Sequence, residues 1–98
     1  MDENRVVLRG RLVEMDALRY TPAGVPIVKF RIAHESSQSE AGTERRVDCE
    51  VSGVAFETEA KLLASAPLGS EMSITGFLDR KGKSSRQVEL HALRIDFK

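Results

Sequence analysis

Arg80-Lys81-Gly82-Lys83-Ser84-Ser85-Arg86 is the densest basic segment of the 98-residue chain, with four cations in seven residues and no acid among them. Gly82 and the two serines leave it free to follow a flexible polyanion. Each phosphate that such a segment neutralises releases condensed counterion, which gives a log–log salt slope of about −0.7 per contact for a single strand. Taken alone, it reads equally as a solvated loop kept soluble by its lysines. The other chemistry-bearing residues are fewer. His34, His91, Cys49 and Asp48 are the conceivable metal ligands, and they lack a Cys-x-x-Cys or His-x3-5-His spacing. No glycine-rich loop opens a helix, and no Ser/His/Asp set has a fitting context. The carboxylates of residues 35–59 fall on a polar loop, an outer strand face and a helix. The chain is therefore expected to be no enzyme and to carry no metal or cofactor.

These residues need elements to position them. Ninety-eight residues at 41% hydrophobic content suffice for one domain, residues 1–98, whose core must rest on Val, Ile, Leu and four Phe because Trp is absent. A single cysteine excludes an internal disulfide and fits a reducing compartment. The charged start Met1-Asp2-Glu3-Asn4-Arg5 is no signal peptide, and no apolar run approaches the roughly 20 residues of a membrane span, so a soluble cytoplasmic protein is expected. Net charge is zero, but its distribution is uneven: +2 over residues 1–34, −6 over 35–79 and +4 over 80–98. A neutral sum can conceal a basic groove.

Asn4–Met15 reads as a first strand, with Val6, Leu8 and Leu12 on one face and Arg5, Val7, Arg9, Arg11 and Val13 on the other. Gly10 within it marks a bend or a close backbone approach. Asp16–Gly24 is a loop carrying Arg19 and Tyr20, and Thr21-Pro22-Ala23-Gly24 suits a tight turn. A second strand follows to His34, with Val28, Phe30 and Ile32 inward and Lys29 and Arg31 outward. Glu35–Glu44 is polar and reads as a long loop that His34 supports. Arg45–Ser52 alternates again, placing Val47, Cys49 and Val51 inward, and Cys49 is expected to be a buried thiol. Val54–Ala66 shifts to helical spacing, with Ser52 as N-cap and Phe56, Ala60 and Leu63 as its apolar stripe. Glu71–Asp79 is a strand, Arg80–Ser85 a loop and Arg86–Phe97 a last strand. The apolar face of that last strand switches near His91-Ala92, which predicts a bulge.

Three strands, a helix and two strands match an all-β architecture, the five-stranded OB-fold Greek-key barrel with one short helix between strands 3 and 4, here plugging the barrel with Phe56, Ala60 and Leu63. In OB domains the outer face of strands 2 and 3 and the 1–2 and 4–5 loops receive nucleic acid. Those places hold Arg19, Tyr20, Lys29, Arg31, Arg45, Arg46, Arg80, Lys81, Lys83 and Arg86. The outward residues of the first strand, Val7, Arg9, Arg11 and Val13, form an amphipathic edge able to pair with a symmetry mate.

With the strands placed, the chain resembles the primosomal replication protein N family. The resemblance lies in Tyr20-Thr21-Pro22-Ala23-Gly24-Val25-Pro26, Phe30, His34-Glu35-Ser36, Glu40-Ala41-Gly42, Cys49, Thr75-Gly76-Phe77 and Leu90-His91-Ala92. Asn4–Leu12 also resembles the opening of bacterial single-strand DNA-binding proteins. The resemblance implies a homodimeric OB protein of the replication-restart primosome. Such a protein binds single-stranded DNA without reading sequence, stimulates a primosomal DNA helicase and passes the assembly to other primosome proteins. One departure matters: where relatives carry stacking aromatics, this chain has Thr43 and Asp48. Single-strand binding is accordingly expected to be weak and mainly electrostatic. The alternative is an adaptor dimer in the primosome with little intrinsic affinity for single-stranded DNA.

Overall fold

The computed structural model describes residues 2–98. Its first strand, β1 (Val6–Met15), is shared between two neighbours. Residues Val6–Arg11 pair antiparallel with Glu71–Gly76, and Arg11–Met15 pair antiparallel with Phe30–Ala33. Gly10 stands at the handover. A Cβ there would lie 2.8 Å from the carbonyl oxygen of Ala33, so a side chain would push the second partner away. A slip in register between Leu12 and Glu14 completes the bend that lets one strand close a small barrel.

The remaining elements are β2 (Arg19–Tyr20), β3 (Pro26–Glu40), β4 (Thr43–Phe56), α1 (Glu57–Ala64), β5 (Glu71–Arg80) and β6 (Val88–Phe97). The hydrogen-bonded order β1-β5-β6-β4-β3, with β3 returning to β1, closes a five-stranded OB-type barrel carrying one short helix. The β4–β6 contact is parallel and all others are antiparallel. β2 adds two residues against Ile27 and Pro26. The turn expected after Tyr20 is present: Gly24 N–H donates to the Thr21 carbonyl at 2.8 Å, and Val25 N–H donates to the Thr21 hydroxyl at 3.1 Å. Leu12, Val28, Ile32, Met72, Ile74 and Leu90 fill the barrel, and Ala60 and Leu63 of α1 cover one end.

The structure corrects several expectations. Glu35–Glu44 is a two-stranded arm and not a loop: β3 and β4 remain in register to Glu40↔Thr43, turning on Ala41 (φ 52°) and Gly42 (φ 76°). Positive φ at both central residues is the geometry of a tight hairpin turn. The arm runs past the barrel, so its alternation buries nothing. Cys49, on the face that is inward in the barrel, is exposed here. The helix starts at Glu57, three residues later than the spacing suggested, because β4 continues to Phe56. Ser52 therefore lies within β4 and caps nothing. The cap position is Phe56, which makes no side-chain capping bond. Phe56 is 37% exposed and does not plug the barrel. Arg80 belongs to β5, and β6 begins at Val88. The predicted bulge is found: Thr75 pairs with Arg94 but Gly76 pairs with Ala92, leaving Leu93 as the extra residue.

Candidate nucleic-acid interface

Lys29 and Arg31 point outward from β3, as the alternation requires, and Lys81 of the β5–β6 loop joins them across a cleft of about 180 Å³. Phe30 and Gly53 form part of its floor, the Phe30 ring lying where any Gly53 side chain would have to go. The cleft is not purely basic. Glu14, Asp16 and Glu89 line it as well. Lys29 Nζ lies 3.4 Å from Glu89 Oε2, and Glu89 is 5% exposed. The Arg31 guanidinium lies 4.0 Å from Glu14 and 3.8 Å from Glu50.

Further out, the arm carries its own pairs. Arg45 meets Glu40 at 2.8 Å and Arg46 meets Glu35 at 3.1 Å. Arg46 stands opposite Ser37, six residues beyond Arg31 and so about 20 Å along the strand. The arm cations therefore do not share the cleft. Thr43 and Asp48 are exposed on the arm, and Asp48 lies opposite Glu35.

The segment from Arg80, the last residue of β5, through the β5–β6 loop differs in kind. Arg80, Lys81, Lys83 and Arg86 are exposed and form no ion pair among the described residues. The loop is shaped by its own backbone bonds: Lys81 N–H donates to the Gln87 carbonyl at 2.9 Å, and Ser85 N–H to the Gly82 carbonyl at 3.1 Å. The Arg80 guanidinium donates to the Lys83 carbonyl at 3.0 Å. Arg19, on β2, is also exposed and unpaired among the described residues, beside Tyr20 at 61% exposure.

Phe77 has one ring face occupied by His91, with centroids 4.8 Å apart and planes at 13°, and Phe56 flanks the same imidazole at 6.2 Å. Tyr20 thus keeps a freer ring than Phe77. The residues that sequence reasoning missed are the carboxylates. Glu89 is 60 positions from Lys29, and nothing local announces the pair. On β1, Val7 is 55% exposed, Arg9 pairs with Glu71 at 3.4 Å, Arg11 is exposed and Val13 is half-buried. Up to Gly10 the edge of β1 away from β5 carries no second strand among the described residues.

No helix among the described residues is long and apolar enough to cross a membrane. Residues 4–94 match a family described as another single-strand binding protein family. The chain is 46% identical over 88 residues to the replication restart protein PriB of Bordetella pertussis, covering 90% of this chain and 82% of the relative. It is 36% identical over 91 residues to the PriB of Nitrosomonas europaea, covering 93% and 84%. Among solved structures, the PriB of Ralstonia solanacearum superposes with a TM-score of 0.90 at 32% identity, covering 98% of each chain. The single-stranded DNA binding protein of Thermus aquaticus superposes at 0.78 and 25% identity, covering 98% of this chain and 50% of that one.

Proposed function

This chain belongs to the replication restart protein PriB family, and on that premise we propose that it is a non-catalytic accessory protein of the replication-restart primosome. In this reading it holds single-stranded DNA weakly, mainly by charge, and bridges to and stimulates a primosomal DNA helicase. The observation that supports it best is the segment 80–86, from the last residue of β5 into the β5–β6 loop, whose four cations stand exposed with no ion-pair partner among the described residues. Arg19, Tyr20, Arg31, Arg45 and Arg46 extend the proposed surface, and the arm cations reach phosphate by exchanging exposed carboxylates, which costs little. Reversing Lys81 and Lys83 to Glu is expected to abolish most binding of a labelled oligonucleotide at low salt. Binding that survived this change and stayed flat with salt would overturn the proposal.

The proposal includes a homodimer formed along β1, with Val7, Arg9, Arg11 and Val13 at the contact; Val7 and Arg9 lie on its open edge, and Arg11 and Val13 lie where β3 already pairs with it. Pairing two such edges would satisfy backbone groups that face water in one copy. Light scattering at micromolar concentration tests it, and a mass near the 10.9 kDa of one chain would remove the dimer.

One observation favours a second reading, an adaptor dimer with little DNA affinity of its own. The cations of β3 and the arm are each paired with a carboxylate, and Thr43 and Asp48 offer no ring for stacking. An adaptor would show no useful single-strand binding below about 100 µM, where the first reading expects a salt-sensitive isotherm.

A further inference from the structure

We infer that Lys29 is not a phosphate ligand but a counter-ion committed to Glu89, and that Glu89 sets how weakly the cleft holds a single-stranded polyanion. This rests on the single-strand reading above. The pairs in the cleft differ in what they would lose. The Glu89 side chain is 7% exposed and Lys29 Nζ lies 3.4 Å from its Oε2. A phosphate that drew Lys29 away would strand a buried carboxylate without its cation, which is the costly way to break such a pair. A phosphate that left the pair intact would sit beside that same negative charge. Arg31 stands otherwise: its partners Glu14 and Glu50 have side chains 68% and 55% exposed and lie at 4.0 and 3.8 Å, so they can turn to water when phosphate arrives. Lys81 has no ion-pair partner among the described residues to release.

The cleft therefore contains two cations open to phosphate, Arg31 and Lys81, and one that is spent. Glu89 is a positioning and affinity-limiting residue, holding Lys29 on the barrel wall and repelling the strand that Lys81 attracts. Removing its charge while keeping its shape should turn Lys29 into a ligand.

The test is anisotropy titration of a labelled oligo-dT at several salt concentrations with the full chain, Glu89→Gln, the double variant Lys29→Gln/Glu89→Gln and Lys81→Glu. Glu89→Gln is expected to bind about three- to tenfold tighter, the effect of lifting one nearby like charge, with a salt slope steeper by about 0.7 for one added contact. The double variant, with the same net charge as the parent and no Lys29 charge, is expected within about twofold of the parent. A folded Glu89→Gln chain that binds no tighter overturns the inference. If that variant fails to fold, the double variant decides, and a loss approaching that of Lys81→Glu overturns it by showing that Lys29 was a ligand. A parent that binds and responds to Lys81→Glu while Glu89→Gln does nothing defeats this inference alone. A parent indifferent to both salt and Lys81→Glu defeats the single-strand reading with it.

Discussion

The imidazole of His34 reaches across from β3 and places its Nδ1 2.7 Å from the carbonyl oxygen of Arg9 on β1. A carbonyl only accepts, so Nδ1 carries a proton, and in the neutral ring Nε2 takes the Ser36 hydroxyl at 2.8 Å. Backbone pairing between β1 and β3 extends only from Arg11↔Ala33 to Met15↔Phe30. The side chain of His34 is the next tie between the barrel and the base of the arm. His34→Ala is expected to destabilise the fold by about 0.5–1.5 kcal/mol, the net value of such a bond. Amide exchange should show protection lost first in residues 34–40 while the barrel strands keep theirs.

Adding aromatic rings to the arm should strengthen nucleic-acid binding. Stacking is worth about 1–3 kcal/mol per base, or about 5- to 150-fold in affinity. Asp48→Trp also removes a carboxylate, so it is expected to act more strongly than Thr43→Phe. Anisotropy titration of a short labelled oligonucleotide reports both effects.

The turn at Ala41-Gly42 offers a stabilising change. Ala41 holds φ 52°, a region that L-residues other than Asn and Asp enter at a cost. Ala41→Asn creates the Asn-Gly pair that this hairpin geometry favours. A gain of about 0.5–1 kcal/mol in urea unfolding is expected, with no change in the salt dependence of binding.

Gly76 should tolerate nothing larger. A Cβ there would run into the carbonyl group of His91, backbone that cannot swing aside as a side chain could. Gly76→Ala is expected near the top of the ~1–3 kcal/mol range for overpacking. Thermal unfolding by circular dichroism measures it.

The barrel strands were legible because each has one face in the core. Val28, Phe30 and Ile32, or Met72 and Ile74, carry an alternation that burial enforces. The arm was not legible for the same reason reversed: Ser37, Gln38 and Ser39 are exposed, so nothing selects an alternating pattern. Ala-Gly at its tip is a weaker turn signal than Asn-Gly. Phe56 followed helical spacing with Ala60 and Leu63 yet lies at the end of a strand, because its register against Ile27 outweighs local periodicity. At the candidate site the cations themselves were readable, since Lys29, Arg31 and the segment 80–86 show in the chain. Their partners were not. Glu89 meets Lys29, and Glu14 meets Arg31, only after β1, β3 and β6 have been brought together.

The double attachment of β1 governs the order in which the molecule can assemble on the ribosome. Val6 finds its partner Gly76 seventy positions later, while the β3–β4 hairpin is self-contained once Phe56 has been translated. Sequential synthesis thus presents a finished ribbon on which Arg11–Met15 can already pair, while Val6–Gly10 stand unpartnered, and sealing of the cylinder waits until the last two strands emerge.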